Sequence, residues 1–156
     1  MKTLFSMSEN PSIEFLKEVI GITRELKYHR HFTVSIDFDD TIADEAFPKV
    51  GDLKKDADKY INMMYDLGFN IIINTCRADH FQQHAEDFLK EKGIKYHQIN
   101  CNLPQSVDYY KQDCRKISAD VYIDDKCLMG LPDTWEEIFY LTIEKANKYY
   151  EKATLG

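Results

Sequence analysis

One acidic stretch, residues 33–41, limits what this chain can fold into more than any other. Residues 33–36 are mostly β-branched or apolar and contain no Gly or Pro, which predicts a short strand. Asp37, Asp39 and Asp40 follow at the point where that strand should end. Carboxylates packed this closely repel one another, and burying them unpaired is costly. A hard divalent cation such as Mg²⁺ relieves that repulsion, so the stretch predicts a metal site.

A second acidic pair supports this interpretation. Asp124 and Asp125 follow residues 121–123, which are again typical of a buried strand. Ligands bind outside the carboxyl ends of the strands in an open α/β sheet, where both acidic groups should therefore meet. A solvated acidic turn is the ordinary interpretation of an isolated Asp-x-Asp, and the second pair argues against it.

Four segments of the chain together resemble a known family. The segment DFDDT at 37–41 is similar to the Asp-x-Asp-x-Thr signature of the haloacid dehalogenase (HAD) superfamily of phosphohydrolases, and NTCR at 74–77 resembles its second motif. Lys116 and the segment YIDD at 122–125 resemble the third and fourth motifs. They occur in the family's order, which makes the match specific. The compact size and the Lys-x₇-Asp-Asp spacing resemble, more loosely, bacterial proteins grouped with the 5′-deoxyribonucleotidases.

The resemblance implies four catalytic roles. Asp37 is expected to be the nucleophile, which splits hydrolysis into two displacements through an aspartyl-phosphate. Asp39 is expected to protonate the leaving group and then to deprotonate the attacking water. Thr75 would donate its hydroxyl to a phosphate oxygen, and Lys116 would supply a fixed positive charge. Thr75 as an ordinary strand-end threonine remains the alternative.

The resemblance also implies a Mg²⁺ cofactor. Its expected ligands are Asp37, the backbone carbonyl of Asp39, and Asp124, with Asp125 close by, either through water or holding Lys116. The lysine assignment has two rivals in the sequence, Lys111 and Lys126.

Two further residues are assigned to the substrate-binding edge of the site. Thr41 is expected to orient the first motif there. Arg77 is expected to grip the part of the substrate beyond the phosphate, with a surface arginine as the alternative.

Alternating strand and helix patterns predict an α/β fold with parallel strands and right-handed crossovers. The predicted strands are 33–37, 69–74, 94–99 and 119–123, and the predicted helices are 11–27, 53–67, 79–92 and 135–152. Proposed caps are Asn10–Pro11 for the first helix, Asp79 with Gln82 for the third and Asp133 with Glu136 for the last. The resemblance adds a doubly wound sheet with strand order 3-2-1-4, which sets the site at the topological switch point beside the first strand.

The chain is expected to form one domain over 1–156, with 1–30 as a helical extension packed on it. The wide apolar face of the first helix predicts that it covers the sheet flank, and a homodimer contact is the alternative. The gaps between the motifs leave no room for the cap domain that many HAD enzymes carry. An open site favours a bulky phosphorylated substrate, or closure by a neighbouring subunit or by the 42–50 loop.

Composition excludes several other classes. A net charge of −7 argues against general nucleic-acid binding. No apolar run approaches the roughly 18 residues of a membrane span, and the first ten residues do not resemble a secretory signal. The four cysteines lack C-x-x-C spacing, so we expect reduced thiols in a cytoplasmic protein and no zinc site.

The function expected from the sequence is therefore a Mg²⁺-dependent phosphomonoester hydrolase. A non-catalytic phosphate-binding or regulatory module on the same scaffold is the first alternative. A phospho-accepting receiver domain is the second, and Asp39 argues against it because such domains lack an acid two residues after the phosphorylated Asp.

Overall fold

A four-stranded parallel sheet forms the centre of the fold, and the computed structural model describes the chain over residues 11–155. The strands are β1 (Thr33–Ile36), β2 (Asn70–Ile73), β3 (Gln98–Ile99) and β4 (Val121–Ile123). All neighbouring strands pair in parallel, in the order β3-β2-β1-β4. The predicted fold class, a doubly wound α/β sheet of Rossmann-like topology, is therefore confirmed together with the strand order.

Five helices alternate with these strands. They are α1 (Ile13–Ile20), α2 (Ala57–Leu67), α3 (Asp79–Glu91), α4 (Pro104–Tyr110) and α5 (Trp135–Ala153). α1 packs against α2 and α5, while α2 contacts β2 and α5 contacts β4. Between 11 and 155, these elements use the lengths of chain that separate the motifs, and no inserted domain is present. No helix in this range combines the length and hydropathy needed to cross a bilayer.

The central strands are buried on both faces, as their continuous apolar runs predicted. All four residues of β1 are buried, and Ile71, Ile72 and Ile73 are fully inaccessible. Ile71 and Ile73 belong to the main core with the helices, whereas Ile72 forms a separate cluster with Leu103 and Ile117. β3 is a short, half-buried edge strand. Because both faces of the sheet are covered, polar side chains collect where the strands end.

The carboxyl ends of three strands lie side by side. The backbone N–H of Asp37 donates to the carbonyl of Ile123 in β4 at 2.9 Å. The backbone N–H of Asn74 donates to the carbonyl of Ile36 in β1, also at 2.9 Å. Residues that follow β1, β2 and β4 therefore meet at one edge of the sheet, where the chain turns to opposite sides of β1.

The first helix is shorter than predicted. It begins at Ile13, where the Ser12 side chain accepts a hydrogen bond from the Phe15 N–H at 3.1 Å, and Pro11 precedes it. Asn10, proposed as its cap, lies outside the described residues. The helix ends at Gly21 rather than near Lys27, because Gly21 adopts a φ of 75° and its N–H donates to two helix carbonyls.

The residues after α1 pair instead with the end of the chain. The Lys27 N–H donates to the Ala153 carbonyl at 2.8 Å, and the Leu155 N–H donates to the Glu25 carbonyl at 3.0 Å. Leu26 and Thr154 form the antiparallel bridge between them. This pairing joins the first connection to the C-terminal end of α5.

The predicted starts of α3 and α5, at 79 and 135, are confirmed, but the caps proposed for both helices are wrong. Asp79 has a φ of 51° and caps nothing, while its supposed partner Gln82 accepts a hydrogen bond from Asn100 instead. α5 is capped by Thr134, whose hydroxyl accepts from the Glu137 N–H at 3.2 Å, one residue later than the proposed Asp133 and Glu136. At α5 two adjacent residues of similar capping propensity compete, whereas the N-cap position of α3 is Ala78, which makes no side-chain capping bond.

The apolar face of α1 is only partly covered. Leu16 and Ile20 are buried against the helices, but Phe15 and Val19 are 50% and 41% exposed. Within the described part of the chain α1 packs on α2 and α5 and on no strand, so the prediction that it covers the sheet flank is wrong. A homodimer contact on the other side stays a prediction.

Candidate functional site

Three carboxylates meet at the carboxyl edge of the sheet. Asp37 follows β1, and Asp124 and Asp125 follow β4. Each of the three residues offers an oxygen that lies within 4.8 Å of the other two, and all three residues are half-buried. The structure thus brings together the three side chains that the sequence predicted to meet. A set of carboxylate oxygens at this spacing suits a hard divalent cation.

Thr41 connects two of these carboxylates. Its hydroxyl donates to Asp37 Oδ2 at 3.0 Å, lies 3.4 Å from Asp125 Oδ1, and accepts from the Asp125 N–H at 3.2 Å. Its carbonyl accepts from the indole N–H of Trp135 at 3.0 Å. Thr41 is only 2% exposed, so its assignment as a substrate-binding residue is corrected. Its hydroxyl is used internally, and it orients the first motif as predicted.

Asp37 is a weak acid in this environment. Burial raises the pKa of its carboxyl from 3.8 to about 7, helped by the hydrogen bond to Asp125 and the charge of Asp124. Burial also acts to raise the pKa of Asp125, but the hydrogen bond from Asp37 and the charge of Lys126 bring it below its usual value. Below about pH 7 the pair therefore shares one proton, which resides on Asp37 and is lost as the pH rises through 7. A cation bound between these carboxylates would offset their repulsion, so that both could be ionised without the proton.

We expect Asp37→Asn to stabilise the metal-free protein. A carboxyl whose folded-state pKa is raised to about 7 costs stability whenever it is ionised. The advantage of Asn should grow between about pH 4 and pH 7 and then level off, reaching on the order of 1–2 kcal/mol after solvent screening. Thermal or denaturant unfolding in chelator across this pH range measures it. A variant that is less stable than wild type at pH 8 would contradict the expectation.

Arg77 is buried against the predicted acid/base residue. Its Nε and Nη2 donate to the two carboxylate oxygens of Asp39 at 2.8 and 2.7 Å, a bidentate pair. Its remaining donors bond the carbonyls of Pro48 at 3.2 Å and Lys49 at 2.6 Å. Arg77 is 2% exposed, so neither the substrate-gripping role nor the surface alternative describes it. It holds Asp39 in place and joins that carboxylate to the 42–50 loop.

The 42–50 loop is closed at its base by backbone pairing. The Asp44 N–H donates to the Asp52 carbonyl, and the Lys54 N–H to the Ile42 carbonyl, both at 2.8 Å. Gly51 approaches the loop so closely that a Cβ there would lie 2.2 Å from the Asp44 carbonyl oxygen. The closed base and the Arg77 contacts fix the loop beside the site.

The surface of this segment carries an ion-pair cluster that the sequence did not reveal. The Lys54 amino group lies 2.8 Å from Asp40 and 3.4 Å from Asp44. Asp40, which has a φ of 59°, pairs with Lys54 and is not part of the group formed by Asp37, Asp124 and Asp125.

Thr75 lies two residues after the end of β2, at the same edge of the sheet. The Arg77 N–H donates to Thr75 Oγ1 at 3.1 Å, and the Thr75 N–H donates to Asn100 Oδ1 at 2.7 Å. No described protein group accepts the Thr75 hydroxyl proton, so that proton can be donated to a ligand. Asn100 was not singled out in the sequence. Its amide also donates to the Arg77 carbonyl at 3.2 Å, and an Asn directly after the edge strand was the available signal.

The structure separates the three candidate lysines. Lys116 is exposed, with its amino group 5.1 Å above the Tyr122 ring, and it makes no ion pair with a carboxylate in residues 11–155. Lys111, the residue that follows α4, pairs with Asp108 of that helix. Lys126 Nζ lies 3.8 Å from Asp125 Oδ2, and the charges of Asp125, Asp37 and Asp124 all contribute to raising its pKa. Of the three candidates it is Lys126, and not Lys116, that lies beside the carboxylates, because the chain turns back just after Asp125.

Asp39 contributes no side chain to the carboxylate cluster. Both of its carboxylate oxygens point to Arg77. Its expected metal contact through the backbone carbonyl stays a prediction.

The four cysteines, at 76, 101, 114 and 127, are all exposed and unpaired. None belongs to a group of three or more metal-binding side chains among residues 11–155.

Comparison with known proteins supports the fold but does not identify an activity. No protein-family model matches the chain, and no curated protein matches it either. A solved structure, a conserved protein coded by a locus from Bacteroides thetaiotaomicron, is similar with a TM-score of 0.66 and 25% sequence identity. The similarity covers 74% of this chain and 93% of that chain.

Proposed function

We propose that this chain is a Mg²⁺-dependent phosphomonoester hydrolase that acts through an aspartyl-phosphate on Asp37. The observation that carries the proposal is the convergence of Asp37, Asp124 and Asp125 at the ends of β1 and β4. A further carboxylate, Asp39, stands two residues after the nucleophile and is oriented by a buried arginine. The order of the first, second and fourth motifs, at 37–41, 74–77 and 122–125, supports membership of the HAD superfamily as part of the same proposal.

The metal would be held by Asp37, Asp124 and Asp125, with the Asp39 carbonyl as a further oxygen ligand. Once bound, Mg²⁺ would neutralise these carboxylates and the incoming phosphate, and would restrain the transferring group. The fit rests on the hard oxygen donors and on the proton that Asp37 otherwise retains.

The reaction proceeds in two displacements. Ionised Asp37 attacks phosphorus, an aspartyl-phosphate bond forms, and the bond to the leaving alkoxide breaks while Asp39 supplies its proton. Asp39 then accepts a proton from water as that water attacks phosphorus. The aspartyl-phosphate bond breaks, releasing inorganic phosphate and regenerating the Asp37 carboxylate. Thr41 keeps Asp37 aimed throughout.

Two donors at the edge of the site would contact the phosphate. The free hydroxyl proton of Thr75 would bond a phosphate oxygen, and Lys126 would supply a positive charge to the transition state. Lys126 is exposed and can move toward a ligand.

We expect Lys126→Ala to lower kcat by about 10- to 100-fold and Lys116→Ala to change it by less than about threefold. The two variants remove the same charge, so each controls for the other. Steady-state phosphate release at saturating Mg²⁺ measures both. A larger loss for Lys116→Ala would return the catalytic role to the residue that the sequence favoured.

We expect Arg77→Ala to lower kcat on the order of 10²-fold with little change in KM. The reason is that Arg77 orients Asp39, whose proton transfer occurs in the chemical step. Removing one partner of a buried pair should also destabilise the fold by about 3 kcal/mol. Kinetics and denaturant unfolding of the purified variant measure the two effects.

Two variants control the Arg77 experiment. Arg77→Lys keeps the charge but loses the bidentate geometry, and Arg115→Ala removes an exposed arginine. An Arg77→Ala protein with normal kcat and a raised KM would restore the substrate-gripping role instead.

The open edge of the sheet bears on the substrate. Within 11–155 no inserted domain covers the carboxylates, and the 42–50 loop is the segment that lies beside them. Such a site cannot enclose a small metabolite well. The open site therefore favours a bulky phosphorylated substrate that itself shields the carboxylates from water.

The proposal is tested by measuring phosphate release with Mg²⁺ from nucleotides, sugar phosphates, phosphopeptides and phosphorylated polymers. Asp37→Asn runs beside the wild type as the matched control. The proposal requires at least one substrate class that wild type hydrolyses and the variant does not. Equal rates for the two proteins on every substrate would exclude it.

A non-catalytic phosphate-binding module is the second candidate. The specific observation in its favour is that Arg77 engages both oxygens of Asp39, the group needed to assist the leaving alkoxide. This candidate requires Mg²⁺-dependent binding of phosphate esters without phosphate release by either protein.

A further inference from the structure

A cavity lies at the opposite end of the sheet from the carboxylates. It has a volume of about 410 Å³ and is lined by Tyr28, Phe32, Asp120, Lys145, Lys148, Tyr149 and Lys152. Phe32 precedes β1 and Asp120 precedes β4, whereas the carboxylate site follows both strands. A cavity of this size accommodates a small ligand.

The positive charge of this cavity comes from one face of α5. Lys145, Lys148 and Lys152 are spaced three and four residues apart, which sets them on the same side of a helix. None of the three forms an ion pair with a carboxylate among residues 11–155. Three like charges in a chain of net charge −7 repel one another, and a bound anion would relieve that repulsion.

Asp120, the acidic residue that lines the cavity, already has partners. The Asp120 carboxylate pairs with Arg30 and accepts the Thr33 N–H at 2.8 Å. Arg30 is itself held by Thr33 Oγ1 at 2.9 Å. Asp120 is therefore committed to anchoring the start of β1 and leaves the three lysines unneutralised.

Two tyrosines supply the apolar part of the lining. The rings of Tyr28 and Tyr149 meet edge to face, with centroids 5.5 Å apart. The Tyr149 hydroxyl donates to the Arg30 carbonyl, which fixes that ring. Tyr28 is 43% exposed, so a planar group can reach the part of its side chain that the Tyr149 and Lys27 contacts leave open. Lys27 adds a further positive charge, with its amino group 6.0 Å from the Tyr28 centroid.

We propose that this cavity binds a phosphorylated ligand with an aromatic ring, of the nucleoside polyphosphate class. The lysines of α5 contact the phosphates, and the ring stacks on Tyr28. The site is separate from the carboxylate edge and does not depend on the activity proposed there.

The test measures binding of ATP and of inorganic triphosphate by calorimetry in excess chelator, where the carboxylate edge holds no metal. We expect one ATP per chain with a Kd of about 10–100 µM. Triphosphate should bind at least about fivefold more weakly because it lacks the stacking ring. Tyr28→Ala should remove that difference. Absence of ATP binding, or equal affinity for the two probes, would overturn the proposal.

Matched charge reversals locate the site. Lys148→Glu should weaken ATP binding by about tenfold or more, whereas Lys90→Glu, the same change at an exposed position of α3, should change it by less than about twofold. If both variants weakened ATP binding equally, the binding would be nonspecific charge attraction, and a defined site in this cavity would be excluded. Chemical-shift changes in wild type need no variant. They should appear on α5 and around Tyr28, and changes confined to 37–41 would exclude this cavity.

Discussion

Replacing Asp37 by Asn is expected to lower phosphatase kcat by at least about 10⁴-fold while the fold is retained. The amide cannot attack phosphorus, so the covalent route is lost. Its shape is nearly that of the carboxylate, and its oxygen can still accept the Thr41 hydroxyl. The loss should therefore appear in turnover and not in folding, which separates a chemical role from a structural one.

The measurement pairs steady-state phosphate release with trapping of labelled phosphoenzyme. Asp40→Asn is the control, because Asp40 belongs to the same motif but pairs with Lys54 at the surface, and it should keep kcat within a few-fold. Asp39→Asn should form phosphoenzyme slowly and lose it more slowly still. If Asp37→Asn retains more than a few per cent of the rate in a clean preparation, covalent catalysis through Asp37 is wrong.

Removing the metal is expected to have a comparably large effect, a loss of at least about 10³-fold in excess chelator. Without a cation, the raised pKa of about 7 leaves a large fraction of Asp37 protonated near neutral pH, and the protonated form is a poor nucleophile. Added Mg²⁺ should restore the rate. Ca²⁺ should occupy the carboxylates and inhibit, because it prefers larger and looser coordination than a phosphoryl-transfer site provides.

Asp124→Asn connects that effect to the carboxylate cluster. Loss of one charged ligand should raise the Mg²⁺ concentration needed for half-maximal activity by at least about tenfold. Asp133→Asn, at an exposed position just before α5, should leave it unchanged. Full activity of the wild type in excess chelator would contradict the assignment of a metal to these carboxylates.

The carboxylate cluster could be predicted because it follows from general rules. Continuous apolar runs indicated strands buried on both faces, and parallel strands end at a common edge. Acidic residues after two such runs were therefore expected at the same edge, where Asp37, Asp124 and Asp125 lie together. The strand order needed more than periodicity, since the pattern alone does not say which strands are neighbours. It came from the family resemblance, and the sheet agrees with it.

The partners of individual side chains could not be predicted in the same way. Arg77 follows a motif threonine and looked available for ligands, yet it is buried against Asp39 because the 42–50 loop folds over it. Lys116 had the expected spacing, but a turn after Asp125 brings Lys126 to the carboxylates instead. Both outcomes depend on loop conformations, which spacing does not encode.

The way in which Arg77 meets the 42–50 loop also bears on how new specificities could be engineered. Its hydrogen bonds to that loop go to the main-chain carbonyls of Pro48 and Lys49, which do not depend on which side chains those positions carry. The exposed side chains at 44–49 can therefore be exchanged without removing an acceptor from the arginine, whereas Ile42 and Ala43 are buried in the core and the neighbouring Gly51 has no room for a side chain. A library randomised over these surface positions would vary the groups offered to a substrate's remote end while the proton-transfer machinery stays assembled.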